Sequence, residues 1–418
     1  MQMRRITLEI ELVTPTFLGG SDSGKSCEWR ASSVRGQLRW WFRAVAGGMY
    51  QGDLDRVRQA EEEIFGSTKQ ASSLRVHTLG SPRIVQREVQ SWGRGLGSEE
   101  LARTWGLDPR HPDWDLALRR LRLPWPTNPL LYLGYGCLEY RKEGGFKLAR
   151  PCFEPGEKAS LRLQWMQPPS SELNKLWDLS LWTWLHLGGI GTRSRRGFGS
   201  IRLNEGGDVP DQWKTGDRGS FKEGVERLLR TAARPISAGE LPAWSHFCAQ
   251  STIYLAKGAG YRTWDDAMTH VGAWLMSFRR RYGSQSDSRK SPRRPLADRD
   301  YKWAKEAGRN VSPVAVPDRA GFGLSLPFGK KSEQIVSWGD YEQDNRRASP
   351  LLIHIARFGS QFVPILTHLP AKLVPDGKQV RFRGLHRPSH VPSPEQQSIV
   401  GEFLTDLASR NLVERIVP

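Results

Sequence analysis

The chain has 418 residues, 38% of them hydrophobic, with 62 Lys and Arg against 44 Asp and Glu and a formal charge of +18. That length predicts two or three domains, each with its own core, and the clustered positive excess is the footprint of a nucleic-acid binder, surface charge serving solubility alone being the alternative. No window approaches the roughly 20 apolar residues of a membrane span, and Cys27, Cys137, Cys152 and Cys248 lack the spacing of a zinc ribbon or a disulfide framework.

Residues 1–11 alternate charge with apolar side chains and contain no signal-peptide run, so a soluble cytoplasmic protein is expected. Ile6, Leu8, Ile10 and Leu12 alternate with Thr7, Glu9 and Glu11, a strand with one buried face, which ends at Thr14-Pro15. After a Gly- and Ser-rich loop, Ser32 or Ser33 offers an N-cap, and Val34, Leu38, Trp41, Phe42 and Val45 predict a helix closed by Gly47-Gly48. Arg35, Arg39 and Arg43 stack along a neighbouring stripe, where like charges four residues apart repel unless an anion neutralises them. Residues 53–65 read as a second helix and 74–78 as a strand. Residues 82–126 read as an insertion with a short helix over 114–121, followed by strands at 130–140 and 160–165.

The helix predicted over residues 171–187 turns Leu173, Leu176, Trp177, Leu181, Trp184 and Leu185 inward and delivers the chain into a loop at 188–200. That loop holds Gly191, Gly197 and Gly199, which allow tight turns and close approach to a large ligand, and Arg193, Arg195 and Arg196, whose forked donors suit phosphate. A strand follows at 201–203. The order of elements suits an α+β fold, an antiparallel sheet backed by helices in the ferredoxin-like arrangement shared with RNA-recognition modules.

Residues 205–217 read as a linker. Beyond it come helices at 221–229 and 264–282, strands at 252–256, 351–358 and 361–366, and a final helix over 394–408. Met268, Val271, Leu275 and Phe278 line the inner face of the long helix, which ends in Arg279-Arg280-Arg281. Residues 284–300 form a basic, Ser- and Pro-rich stretch, either a solvated loop or a direct RNA contact. Two ferredoxin-like domains are therefore expected, 1–205 and 218–418, the repeat being inferred from element order.

The segment Ser33-Val34-Arg35-Gly36-Gln37-Leu38-Arg39-Trp40-Trp41-Phe42-Arg43-Ala44, placed after a Thr14-Pro15 and Gly19-Gly20 loop, resembles the opening of the RAMP proteins of type III-B (Cmr) CRISPR effector complexes, in particular their first-numbered subunit. Ile64-Phe65-Gly66-Ser67, Tyr132-Leu133-Gly134-Tyr135-Gly136, the Gly191-to-Gly199 loop and Ala348-Ser349-Pro350-Leu351 agree in order. The resemblance implies a non-catalytic, cofactor-free subunit that binds CRISPR RNA, its single-stranded target RNA, or both, alongside the other Cmr subunits. It carries over Arg35, Arg39, Trp40 and Arg43 on the first helix, and Gly191, Arg193, Arg195, Arg196, Gly197 and Gly199 in the loop, as binding candidates. Trp40 lies off the apolar sector, and either stacks a base or packs beneath a neighbouring subdomain.

Two enzymatic alternatives remain at this point. His186 beside the loop could act as the base of a metal-independent endoribonuclease. Gly19-Gly20-Ser21-Asp22-Ser23-Gly24-Lys25-Ser26 spells a phosphate loop, so Lys25 and Ser26 could serve a nucleotide hydrolase, although neither a strand directly before nor a helix directly after is evident. Asp265-Asp266 read as helix-capping acids, and His386 and His390 are separated by Pro388, which argues against a shared metal.

Overall fold

The alternation of the N-terminal segment is realised as strand β1 (Arg5–Leu12), whose Leu8, Ile10 and Leu12 are fully buried. This comes from a computed structural model of the chain, describing residues 5–22, 24–86, 92, 128–140, 146–205, 209–234, 241–280, 318–324, 326–328, 334–338, 345–378, 380–383, 389–391 and 399–418. The chain then forms α1 (Ala31–Met49), α2 (Leu54–Phe65), β2 (Leu74–Leu79), α3 (Pro129–Leu133), β3 (Lys158–Trp165), α4 (Ser171–Leu187) and β4 (Ile201–Leu203). β1 pairs antiparallel with β3 on one side and β4 on the other, and β2 closes the far edge, giving the order β2-β3-β1-β4.

The second half repeats that order. After α5 (Arg218–Ala232) come β5 (Thr252–Ala256), α6 (Trp264–Arg280), β6 (Leu351–Phe358), β7 (Gln361–His368), α7 (Ile399–Ser409) and β8 (Val413–Ile416). They make an antiparallel sheet in the order β6-β7-β5-β8, so the four strands of each sheet stand in the same relative order, although the first half adds α2 before β2 and α3 before β3. A third sheet joins Leu326–Phe328, Gln334–Trp338, Val380–Arg383 and Ser389–Val391, and was not anticipated. The chain is thus a mixed fold of antiparallel sheets and helices.

Local departures from expectation have local causes. α1 begins at Ala31, because the Arg30 carbonyl already accepts from Ser33 and Val34, and Ser32 and Ser33 lie inside the first turn. Gly47 and Gly48 do not end that helix; a Cβ on Gly48 would sit 2.0 Å from the Ala232 carbonyl, so glycine lets α1 close on α5. The strand expected at 130–140 is α3 followed by a strand at Leu138–Tyr140, since Asn128 Oδ1 accepts from Leu130 and Leu131 and Pro129 opens the helix. α4, capped by Ser170, has the expected bounds and core face. Nearly all of the 82–126 insertion and all of the 284–300 stretch lie outside the described residues.

The two sheets meet along the glycine loop. β6 is an edge strand, and its outer side is covered: Ile353 N donates to Arg195 O at 3.1 Å, Ile355 N to Ser200 Oγ at 3.0 Å, and His354 Nδ1 to Gly188 O at 2.6 Å. Covering an edge removes a template for unwanted pairing and fixes the loop between the halves.

Candidate nucleic-acid interface

Positive φ values at Gly191 (91°), Gly197 (89°) and Gly199 (65°) are what the turns of the loop demand. The close approach they allow is to the chain itself. A Cβ on Gly199 would fall 1.9 Å from Ile190 O, and one on Gly191 would fall 2.5 Å from Phe17 O. Gly197 and Gly199 are buried and Gly191 half-buried. Backbone bonds from Thr192 to Phe17 and from Gly199 to Pro15 pin the loop against the segment after β1. The glycines therefore shape a rigid platform, and the arginines are what it presents.

Arg193 is exposed at φ 65° and donates to the Tyr135 carbonyl. Arg195 is half-buried: its guanidinium donates to Ser349 O at 2.6 Å and lies over the Trp40 ring with Cζ 4.7 Å from the centroid. Burial pushes its pKa down to about 10, and the neighbouring Arg347 and Arg196 push in the same direction. Arg196 is lowered first by burial and then by Arg279 and Arg193, with Tyr132 opposing. Arg279 donates to the Tyr132 hydroxyl and lies over that ring at 5.3 Å. Burial pushes the Tyr132 hydroxyl up, but Arg279, Arg196 and Arg319 outweigh it and hold it below the ordinary value. None of Arg193, Arg195, Arg196, Arg279 and Arg347 meets a carboxylate among the described residues. This seam is a partly desolvated cluster of like charges, and such a cluster favours an anion that would neutralise it.

The arginines of α1 are treated differently. Arg39 Nε lies 2.6 Å from Glu61 Oε1 and Arg43 Nε 2.6 Å from Glu61 Oε2, so one carboxylate on α2 serves two guanidinium groups. Arg35 donates to the Phe65 carbonyl. Glu61 is the neutralising anion that the i, i+4 stripe called for. Its side chain is 9% exposed against 38% for Arg39 and 45% for Arg43, so the cations still face water. They line a cleft of about 570 Å³ together with Arg35, Arg58 and Phe65. Trp40 is half-buried, packed edge-on against Trp41 at 4.8 Å and beneath Arg195, and so is not a free base platform.

The enzymatic alternatives lose their footing. His186 is buried between Trp213 O, which must accept from Nε2 at 2.7 Å, and Thr215 Oγ1, which donates to Nδ1 at 2.9 Å. Both ring nitrogens are occupied and burial pushes its pKa down to about 3, so it has no nitrogen free to take a proton from RNA. In the 19–26 segment the Lys25 and Ser26 amides both donate to Asp22 O, Ser21 N donates to Glu28 Oε1, and no helix starts until Ala31. Amides committed to the chain, beside a carboxylate, cannot cradle a phosphate. Among the described residues no group of three or more His, Cys, Asp or Glu is placed to hold a metal ion, and no helix is long and apolar enough to cross a membrane.

Sequence reasoning missed Arg347 and the role of Tyr132, and treated Arg279 only as the end of a helix. Their neighbours carried the available signal, the Tyr132-to-Gly136 and Ala348-to-Leu351 motifs, but only the tertiary fold brings them to the loop.

Residues 9–202 match the RAMP superfamily model. Over 206 residues, 48% of this chain and 96% of the relative, the sequence is 29% identical to the CRISPR system Cmr subunit Cmr1-2 of Pyrococcus furiosus. It is 25% identical over 285 residues to Cmr1-1 of the same organism, covering 65% of this chain and 72% of that one. The crystal structure of apo Cmr1 from Pyrococcus furiosus superposes with a TM-score of 0.51 at 20% identity, spanning 100% of this chain and 99% of the other, a likeness of fold.

Proposed function

We propose, from the match of residues 9–202 to the RAMP superfamily model and the likeness to Cmr1 subunits, that the protein is a non-catalytic RNA-binding subunit of a type III-B (Cmr) CRISPR effector complex, acting in the cytoplasm. The reading takes 1–205 and 218–418 as two ferredoxin-like units, each sheet having the same strand order. CRISPR RNA and single-stranded target RNA are the ligands, and other Cmr subunits the partners.

The observation that carries the reading is the seam of Arg193, Arg195, Arg196, Arg279 and Arg347, in which, among the described residues, the cations meet one another and no carboxylate. A sugar-phosphate chain relieves that repulsion with repeated charge and needs no base-specific contact. The arginines of the α1 cleft, on the helix whose Trp40 lies under Arg195, add a second basic surface. Guide pairing, not the protein, then reads sequence.

Labelled single-stranded RNA incubated with the purified chain should be retarded and remain intact, with no dependence on magnesium or added nucleotide. RNA that is cleaved by the wild type and survives intact with His186→Ala would overturn the assignment in favour of an endoribonuclease.

A further inference from the structure

Away from the loop, a cavity of about 510 Å³ opens in the second half, within the ~300–1,000 Å³ range of small-molecule sites. Strand register builds one wall. Thr252 pairs with His368 and Tyr254 with Arg415, so these four share one face of the sheet. Arg347 closes another side, held by a two-way backbone pairing with Leu324 at 2.8 Å in each direction. Leu373 and Leu404 supply apolar surface.

Three polar side chains of this cavity are the ones a ligand would meet: His368, Arg347 and Arg415. His368 retains only 9% of its surface, and its ring has no hydrogen-bond partner among the described residues. Burial pushes its pKa down to about 4, so at neutral pH it offers one donor and one acceptor. An imidazole that borders a cavity in this way is placed to bond to whatever enters it. Arg347 is half-buried and Arg415 is exposed at the rim, and neither has a carboxylate partner among the described residues. No Asp or Glu lines the cavity among the described residues.

Two guanidinium forks, a neutral imidazole, threonine hydroxyls and an apolar wall with an aromatic ring form a mixed donor set. Its charged part suits phosphate oxygens in bidentate geometry, and the rest suits a flat heterocycle. We propose that this cavity binds a nucleotide-sized phosphomonoester, with the phosphate on Arg347 and Arg415 and the ring against Tyr254, within reach of His368. The same chemistry comes from a free mononucleotide or from the terminal nucleotide of an RNA lying on the adjacent seam, which Arg347 also borders. The second source rests on the RNA-binding reading, and the first does not.

The test is titration calorimetry of the full chain with AMP, UMP and inorganic phosphate, alongside short RNAs ending in a phosphate or a hydroxyl. A mononucleotide should bind more tightly than phosphate alone, and Arg347→Ala and Arg415→Ala should each weaken it by about tenfold or more. Arg415 is exposed, so its variant should keep the wild-type unfolding temperature and serve as the folded control. If the RNA end is the source, Arg415→Ala should weaken phosphate-ended RNA and leave hydroxyl-ended RNA unchanged, while a free mononucleotide displaces only the former. Arg193→Ala should weaken long RNA and leave mononucleotide binding intact, which keeps the two readings separable. Absence of mononucleotide binding at millimolar concentration, or binding unchanged in both cavity variants, overturns the proposal.

Discussion

The guanidinium of Arg195 lies 4.7 Å from the centre of the Trp40 ring while donating to the carbonyl of Ser349. One side chain thus ties α1, the glycine loop and the strand entering the second sheet. A cation over an indole contributes about 0.5–2 kcal/mol, more when desolvated. Trp40 therefore fixes the direction of the Arg195 charge, and under the proposed function it would bear on RNA only through that arginine.

Arg195→Ala with Arg196→Ala should weaken single-stranded RNA binding at every sequence and flatten the plot of log affinity against log salt by about one or two units. Filter binding across a potassium chloride series measures the slope. An unchanged slope would place the binding face elsewhere.

Glu61→Gln should act in opposite directions on stability and binding. Losing a carboxylate shared by two half-exposed arginines should cost about 1–3 kcal/mol by urea melts, while freeing those cations should tighten RNA binding and steepen its salt dependence. Burial pushes the Glu61 carboxyl up, but hydrogen bonds from Arg43 and Arg39 prevail and hold it below the usual range. Its contribution is present above about pH 4.3 and lost as pH falls through the lower folded value, so the variant should show a shallower acid limb there.

Stability should also fall on mild acidification, for a separate reason. Burial holds His186, His354 and His368 neutral at pKa values of about 3, 4 and 4. The unfolded chain takes up protons at these sites below about pH 6.5 and the native chain does not, so stability is full above that pH and declines toward pH 4. The slope is up to about 1.4 kcal/mol per pH unit for each histidine. Urea melts between pH 7.5 and 5.5 should reveal it, and His186→Asn should remove one proton's worth of slope.

Glycine substitutions should separate shape from propensity. Gly199→Ala meets the Ile190 carbonyl at a left-handed φ and should lower the melting temperature and RNA affinity together. Gly36→Ala, on α1 with no atom within 4 Å of the added carbon, should raise stability by up to about 1 kcal/mol. Thermal melts of the two variants check the contrast.

Much of the fold was legible. The bounds of β4, β5 and α4 follow from period and caps, because a half-buried strand or a capped helix writes its pattern locally. The 130–140 segment was misread because a short apolar run serves helix or strand equally, and the Asn128-Pro129 start was the overlooked signal. The arginines of the site were legible as charge, but their different states were not. That Arg39 and Arg43 share Glu61, whereas Arg195 and Arg196 face Arg347 and Arg279, depends on contacts between segments far apart in the chain.

Glu61 also bears on the order of events in biosynthesis. With a counterion supplied from its own next helix, the arginine stripe of α1 can form as the nascent chain emerges, before any polyanion has been met. Among the described residues the seam has no such internal companion, so its cations repel one another. Under the proposed function, loading with nucleic acid is then a late step that relaxes the seam on a scaffold already built.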